Sequence, residues 1–151
     1  MLKGIDPLLS PEMLKLLCEM GHGDEIVLAD ANFTAASLGR GKPVLRLPGV
    51  GMRSACAALL SVFPLDTFVE QPVTYMQVGG TEPGYRSQLQ REVIAVMTAG
   101  GHGRDEQCQP LPRFDFYDRV AGAYAIVQTG ELQAWSNFLF KKGVIAEELR
   151  K

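Results

Sequence analysis

The sequence predicts an α/β fold in which a parallel or mixed central sheet is flanked by helices, giving three layers. Short apolar runs, too brief for helices, alternate along the chain with longer segments of helical periodicity. Some runs are apolar throughout, which is typical of strands that are covered on both faces. A chain of 151 residues can bury one core without disulfides or metal, so we expect a single domain over residues 1–151.

The first helix is predicted to begin at residues 10–12, where Ser10 can cap it, Pro11 suits its first position and Glu12 supplies an acid to the first turn. Apolar side chains then recur at helical spacing, and Gly21 is expected to end the helix in a left-handed conformation. The apolar run at 26–29 is predicted to be a buried strand.

The middle of the chain repeats this alternation. A loop is expected from Asn32 to a second strand at residues 44–47, and the most regular helical pattern follows over residues 52–63. A third strand is predicted at residues 73–78, and a third helix over residues 85–97.

The C-terminal part is predicted to start with a polar loop, because residues 99–112 are rich in glycine and proline. A short helix is expected around residues 114–120, then strands at 124–129 and 137–141. The alternation of strands and helices along most of the chain supports the α/β class.

Composition argues against several partners and compartments. The net charge is −2 and no basic cluster is present, so the attraction that nucleic acids and anionic membranes exert is missing. No apolar run reaches the roughly 20 residues of a membrane span, and the N-terminus lacks a secretion signal. The three scattered cysteines suggest reduced thiols in the cytoplasm, with Cys18 and Cys56 expected to pack as small hydrophobes in helices.

Two ionisable residues stand where packing does not require them. His22 lies between two glycines, and Asp30 closes the hydrophobic strand that follows. Both groups can hold or move protons, which favours acid/base chemistry on a small polar substrate in the crevice beyond the strand. The alternatives are that Asp30 caps a turn and that His22 is a surface loop residue. A strand rises ~3.3 Å per residue, so the two need not share one end, and another subunit could supply the missing half.

Two later segments could bind a sugar. Arg113 follows a proline at a loop-to-helix junction, with Tyr117 one turn further along. Trp135 offers a flat apolar face for the CH face of a sugar ring, beside the hydroxyl of Ser136 and the amide of Asn137. The alternative for Trp135 is a hydrophobic plug or a subunit contact.

His102 is interpreted as a solvated loop residue that could border the pocket. The two histidines are far apart and no ligand spacing accompanies them, so we expect no metal. For acid/base chemistry on a small polar substrate we also expect no cofactor.

Several segments together resemble the fucose mutarotase and ribose pyranase family of cytoplasmic sugar-anomer enzymes. The Gly-His-Gly-Asp motif at 21–24 and the Arg-Phe-x-Phe-Tyr motif at 113–117 resemble the fucose branch more than the ribose branch. The other matching stretches are residues 2–5, 8–12, 19–26, 29–31, 125–127, 129–131, Asn137 and 141–144.

This resemblance implies roles for individual residues. His22 matches the family's proton donor, while Asp30 and Arg113 match its sugar-binding carboxylate and arginine. The family's Tyr-Gly-Asn binding segment falls on residues 135–137, where only Asn137 is retained. Members of the family assemble into rings, often decamers, with sites at subunit boundaries, so a homo-oligomer is expected.

The implied activity is that of an isomerase interconverting the α and β anomers of L-fucopyranose by ring opening and closure. His22 would protonate the ring oxygen, with Tyr117 as a second proton relay. The alternatives are a ribose pyranase-type activity on another monosaccharide and a sugar-binding protein without catalysis.

Overall fold

The first strand, β1 (Glu25–Ala29), explains why the chain forms three layers. Ile26 and Leu28 point into one apolar core, whereas Val27 and Ala29 point into a second core on the other face. The computed structural model, which describes residues 1–147, has helices covering both faces. The larger core is packed under helices α1 (Pro11–Glu19), α3 (Met52–Leu60) and α4 (Gln88–Ala99), and the smaller under α2 (Ala35–Leu38) and α5 (Arg113–Ala121).

One mixed sheet of six strands lies between these layers, which confirms the predicted fold class. The other strands are β2 (Val44–Leu47), β3 (Val73–Met76), β4 (Cys108–Leu111), β5 (Ala125–Thr129) and β6 (Phe138–Lys141). Their order is β2-β5-β1-β6-β3-β4. Strand β6 is antiparallel to both of its neighbours, and the other pairings are parallel. Residues 148–151 of the predicted domain lie outside the described residues.

The start of α1 matches the prediction, but its end does not. The Ser10 hydroxyl accepts a hydrogen bond from the backbone N–H of Met13. The helix ends with Met20 in an extended conformation, and Gly23, not Gly21, has the left-handed backbone, with a φ of 86°. The N–H of Gly21 instead donates to the Asp24 carboxylate at 2.7 Å, so a side chain closes this turn.

In the rest of the chain, two predicted loops contain regular structure and one predicted helix begins later than expected. The expected loop after Asn32 contains the one-turn helix α2, and α4 begins only after Ser87, which forms a reciprocal capping box with Gln90. The expected loop over residues 99–112 contains a 3₁₀ turn and strand β4. Among the strands of residues 1–147, this strand pairs with β3 alone, and it carries Pro110, which an edge strand tolerates because one side needs no partner.

The cysteines follow the prediction in part. All three are free, and Cys56 and Cys108 are buried. Burial raises the pKa of both thiols to about 12. Cys18 is exposed, because it faces away from the side of α1 that packs on the sheet, so its expected burial was wrong. None of the helices within residues 1–147 is long and apolar enough to cross a membrane.

Candidate active site

A cleft of about 190 Å³ opens beyond the carboxyl end of β1, where ligands gather in sheets of this class. Four segments of the chain line it: the turn after β1, the end of β3, the N-terminal half of α5 and the segment before β6. Its walls are formed by Asp30, Asn32, Phe33, Met76, Arg113, Tyr117, Ala134, Trp135 and Asn137.

Asp30 and Asn137 form a reciprocal pair at the floor of the cleft. The Asn137 Nδ2 donates to Asp30 Oδ2 at 3.0 Å, and the backbone N–H of Asp30 donates to Asn137 Oδ1 at 2.8 Å. The Asn32 N–H donates to Asp30 Oδ1 at 3.0 Å, and the Ser136 N–H also hydrogen-bonds to the carboxylate. This pairing fixes the carboxylate in one orientation.

Burial dominates the electrostatics of Asp30. The residue is only 4% exposed, and this desolvation raises the pKa of its carboxyl above the ordinary value. Hydrogen bonds from Asn32, Asn137 and Ser136 favour the ionised form but compensate only in part. A buried carboxylate that retains acceptor capacity is well suited to hydrogen-bonding the hydroxyls of a ligand.

The turn that carries Asp30 is held by the side-chain amide of Gln128 on β5. Its Nε2 donates to the carbonyls of Asp30, Ala31 and Phe33 at 3.0–3.3 Å. Its Oε1 accepts from the guanidinium of Arg46, which fixes the amide with its nitrogen toward the turn. Gln128 is therefore part of the site's framework.

Arg113 and Tyr117 form the opposite wall. They lie one turn apart on α5, and the Arg113 Nε donates to the Tyr117 hydroxyl oxygen at 2.9 Å. The guanidinium carbon also lies 5.3 Å from the centre of the Tyr117 ring, and Phe33 packs edge-on against the same ring at 5.6 Å. Because the arginine donates to the phenol oxygen, the phenolic O–H remains available to donate to a ligand.

Trp135 closes the cleft in an unusual backbone conformation. Its φ of 66° lies in the left-handed region, and it is the only such non-glycine among residues 1–147. The Gln90 Nε2 donates to the carbonyls of Trp135 and Met76, which holds this bend in place. A Cβ at Gly79 would lie 2.8 Å from the indole ring, so the ring position depends on that glycine. Strained residues that the surrounding structure fixes in this way are concentrated at functional sites.

Ser136 lies behind the cleft rather than on its wall. Its side chain is fully buried, and its hydroxyl is the one buried side-chain polar atom in residues 1–147 without a hydrogen-bond partner. Its contribution to the cleft is its backbone N–H, which hydrogen-bonds to Asp30. A direct contact of the Ser136 side chain with a ligand stays a prediction.

His22 lies at the other end of β1. The five residues of this strand separate its loop from Asp30 by about 17 Å. The ring borders a different, largely apolar hollow of about 380 Å³, and its Nε2 lies 3.1 Å from Asp66 Oδ1. The ring of Phe68 is 5.4 Å away. Within one chain, His22 is therefore separated from the cleft.

The structure thus brings together Asp30, Arg113, Tyr117, Trp135 and Asn137, and leaves His22 apart. His102 borders a hollow beside residues 60–65, not the cleft. Within residues 1–147 no three His, Cys, Asp or Glu side chains converge so as to hold a metal ion.

The sequence analysis missed Gln90, Gln128 and Asp66. Each acts through contacts with residues 14 to 98 positions away in the chain, so no local spacing indicates them.

Residues 3–145 match the RbsD / FucU transport protein family. The chain belongs to this family. Among its RbsD/FucU relatives is an L-fucose mutarotase from Actinobacillus pleuropneumoniae serotype 5b, 42% identical over 144 residues that cover 95% of this chain and 97% of the relative. The fucose mutarotase of Homo sapiens is 40% identical over 148 residues, which are 96% of this chain and 95% of that protein.

The RbsD/FucU fold is also shared in detail. The crystal structure of the fucose mutarotase from Streptococcus pneumoniae in complex with L-fucose superposes with a TM-score of 0.85 at 39% identity. The match covers 96% of this chain and 100% of that one. The family predicted from the motifs is therefore confirmed.

Proposed function

We propose that this protein is a cofactor-independent L-fucose mutarotase, an isomerase that interconverts the α and β anomers of the sugar. The observation that carries the proposal is the cleft in which a buried carboxylate, a guanidinium, a phenol and an indole face one another. Relatives that are 40–44% identical over nearly their whole length carry that activity in their names, which supports the assignment.

The size and chemistry of the cleft suit one sugar ring. Its volume of about 190 Å³ is below the ~300–1,000 Å³ of pockets for drug-sized ligands. The Asp30 carboxylate accepts from sugar hydroxyls, whereas the Arg113 guanidinium offers donors. Asn137, whose Nδ2 already donates to Asp30, holds that carboxylate in place beside the sugar. The indole of Trp135 provides an apolar face for the CH groups of the ring.

The reaction consists of two balanced proton transfers. The ring oxygen gains a proton and the C1 hydroxyl loses one, so that the bond between C1 and the ring oxygen breaks and an aldehyde forms. Rotation about the C1–C2 bond presents the other face of the aldehyde, and the reverse transfers close the ring. A single positioned acid or base contributes about 10²–10⁴ to such a rate.

We assign the proton donation to His22 of a neighbouring subunit, with Tyr117 as a relay within the cleft. Histidine changes its charge near neutral pH, and in one chain the strand separates it from the bound sugar. The phenol of Tyr117 lies on the cleft wall, with its oxygen already hydrogen-bonded to Arg113. A homo-oligomer, such as a ring-based decamer, would bring the two half-sites together.

Exposed aromatic side chains beside both half-sites support this arrangement. Phe68, next to His22, is 74% exposed, and Phe114, next to Tyr117, is 72% exposed. In the proposed assembly a neighbouring subunit covers both rings. A neighbour that covered both would carry an imidazole toward a cleft.

NMR exchange spectroscopy on the two anomeric protons of L-fucose tests the activity. We expect the wild-type protein to accelerate exchange between them, and His22→Ala and Arg113→Ala to lose at least tenfold of that acceleration. Saturable binding of the sugar without faster exchange would instead identify a sugar-binding protein. Faster exchange of D-ribose than of L-fucose signals would favour the ribose pyranase alternative.

Mixed oligomers test whether the site is shared. His22→Ala and Arg113→Ala subunits, each inactive alone, are co-expressed and purified together. If the histidine of one subunit serves the cleft of the next, about a quarter of the sites in an equal mixture are intact, and activity returns. No recovery in a verified mixed oligomer would show that both groups must come from one chain.

We further place the protein in the cytoplasm. The three cysteines at positions 18, 56 and 108 are all free, which suits a reducing compartment. Fractionation of cells that express the protein would test this location.

A further inference from the structure

Gln128 of β5 has a polar side chain that is buried beside the turn after β1. The residue is 7% exposed. The register of the sheet places it next to Arg46 of β2 on one side and Ala29 of β1 on the other, so the three side chains lie on the same face. The Gln128 amide therefore lies between an edge strand and the strand that Asp30 follows.

The two ends of this amide have different partners. Its Nε2 donates to the carbonyls of Asp30, Ala31 and Phe33 at 3.3, 3.0 and 3.0 Å. Its Oε1 accepts from the guanidinium of Arg46, a group that can only donate. Rotating the amide by half a turn would set its oxygen against three carbonyl oxygens and its N–H groups against a cation. The partners therefore specify one orientation of the amide.

The turn over residues 30–33 supplies both the floor of the cleft and part of its wall. The Asp30 carboxylate lies at its start, and the Phe33 ring at its end packs against Tyr117 with the ring centres 5.6 Å apart. Within the turn, the Phe33 N–H donates to the Asp30 carbonyl at 3.2 Å, the long end of the range for such a bond. Because the Gln128 amide binds the carbonyls of both residues, it helps to hold the two ends of the turn together.

We propose that Gln128 is a positioning residue for sugar binding: by holding the carbonyls of the turn it keeps the Asp30 carboxylate facing the ligand, and Arg46 keeps the amide in the orientation that this requires. The inference rests on the proposed function, in which Asp30 binds sugar hydroxyls. Gln128 is not among the residues that line the cleft, so its effect on a ligand passes through the turn. Asn137 orients the carboxylate itself, whereas Gln128 fixes the backbone that carries it.

This role predicts a change in affinity rather than in the maximal rate. A carboxylate that is displaced by even a fraction of an ångström aligns less well with the sugar hydroxyls. The groups to which we assign the proton transfers are held by other contacts, His22 by Asp66 and Tyr117 by Arg113. In Gln128→Met, which keeps a side chain of similar length but has no amide, we expect the half-saturating L-fucose concentration to rise about tenfold and the maximal rate to change less than about twofold.

Two further variants make the comparison specific. Gln109→Met is the matched control, because it deletes a glutamine amide that donates to Thr74 at 3.3 Å on strands β3 and β4, and neither residue lines the cleft. It should leave both values unchanged. Arg46→Met removes only the group that orients the Gln128 amide, and its side chain is exposed, so the fold should persist. We expect it to weaken L-fucose binding about threefold. Titration calorimetry measures the affinities, and NMR exchange spectroscopy measures the rates.

A double-mutant cycle decides whether Gln128 acts through Asp30. In the Asp30→Asn background, Gln128→Met should cost little further affinity. An equal loss in both backgrounds, a loss confined to the maximal rate, or wild-type affinity in a folded Gln128→Met would each overturn the inference. If Gln128→Met does not fold, Arg46→Met replaces it in the cycle, and wild-type affinity there overturns the inference. If the wild-type protein neither binds L-fucose nor speeds its anomer exchange, the proposed function fails instead, and the two failures are distinct.

Discussion

Asp30, the proposed sugar-binding carboxylate, illustrates how a residue of a candidate site can be costly for folding. Its carboxylate is buried and accepts hydrogen bonds from Asn137 and Asn32, yet burial still raises its pKa. A carboxyl with a raised pKa stabilises the fold in its protonated form, and this contribution to the stability is lost as the pH rises through the raised pKa. At neutral pH the ionised group is therefore maintained at some expense of stability.

The same shift predicts how sugar affinity depends on pH. We expect L-fucose to bind more weakly as the pH falls through the raised pKa of Asp30, at a pH above 3.8 where an ordinary aspartate would still be ionised. The reason is that a protonated carboxyl loses acceptor capacity for sugar hydroxyls. Titration calorimetry at a series of pH values measures the effect. An affinity in Asp30→Asn that varied with pH as in the wild type would contradict the assignment to Asp30.

A second prediction at this scale concerns Gly79. The substitution Gly79→Ala places a methyl group 2.8 Å from the Trp135 ring, which must then shift. Because Trp135 lines the cleft, we expect L-fucose affinity to fall about tenfold, with the free energy of unfolding lowered by about 1–3 kcal/mol. Gly21→Ala is the control, since its nearest atom would be 3.7 Å away. Calorimetry and urea unfolding measure the two quantities, and unchanged affinity in Gly79→Ala would contradict the role of the indole.

Some site residues were accessible from the sequence and others were not. Asp30 and Arg113 lie at junctions that the sequence marks, namely the end of an apolar strand and the start of a helix after proline. Gln128 and Asp66 lie at no boundary that the sequence indicates. Their partners are 95 to 98 and 44 residues away, so only the folded backbone shows what they hold.

At the scale of elements, β1 sets the geometry of the whole site. It carries Asp30 after its carboxyl end and the His22 loop before its amino end. Its first residue, Glu25, ties that amino end to two other elements. The carboxylate pairs with Arg119 of α5 at 2.6 Å and with Lys141 of β6 at 3.0 Å. The position of the strand in the sheet therefore depends on an ion-pair network as well as on apolar packing.

This network predicts an acid-sensitive contribution to stability. Glu25 is 11% exposed, and although burial acts to raise its pKa, the pairing with Arg119 and Lys141 lowers it below 4.5. We expect Glu25→Gln to lower the free energy of unfolding by about 2 kcal/mol at pH 7, because two half-buried cations lose their partner.

The sign of the shift sets the pH dependence of that loss. A lowered pKa contributes stability above pH 4.5, and the contribution disappears as the pH falls through the lowered value, so the difference between wild type and Glu25→Gln should shrink in acid. Urea unfolding at several pH values measures it. Glu19→Gln, which breaks the exposed pair with Lys15, should change stability little.

The sequence analysis missed β4 and α2 for the same physical reason. The sequence of β4 predicts a loop because Gln109 and Pro110 have low strand propensity. The strand nevertheless forms, because it pairs with the free edge of β3. Likewise α2 is a single turn whose Ala35 packs into the smaller core. Both are determined by neighbours that local patterns do not reveal.

At the scale of the whole molecule, one chain keeps the cleft and the His22 ring apart, and the proposed function treats them as two half-sites. The cleft contains a guanidinium, a phenol and a buried carboxylate, and the length of β1, about 17 Å, separates it from the loop that carries the imidazole. An exposed aromatic side chain lies beside each of them, Phe68 next to His22 and Phe114 next to Tyr117.

If the subunits assemble with shared sites, as proposed, charged substitutions at these aromatic residues impair assembly and activity together. We expect Phe68→Lys and Phe114→Lys each to lower the mass of the oligomer in analytical ultracentrifugation and to slow L-fucose anomer exchange at least tenfold. The physical reason is that a buried interface cannot accept an unpaired charge. The fold should persist, because both side chains are exposed in the single chain. Full activity in a verified monomer would contradict the shared site.

The sequence by itself determined the α/β class and most of the strands and helices, and it supplied the residues to which we propose chemical roles. These follow from periodicity and from motifs, which are local properties of the chain. Only the tertiary structure decided which of those residues meet. It joined Asp30 to Arg113 and Asn137, placed His22 with Asp66 at the far end of β1, and turned Ser136 away from the cleft. The reason is that strand order and register, set by packing on both faces of the sheet, fix distances that no spacing along the chain encodes.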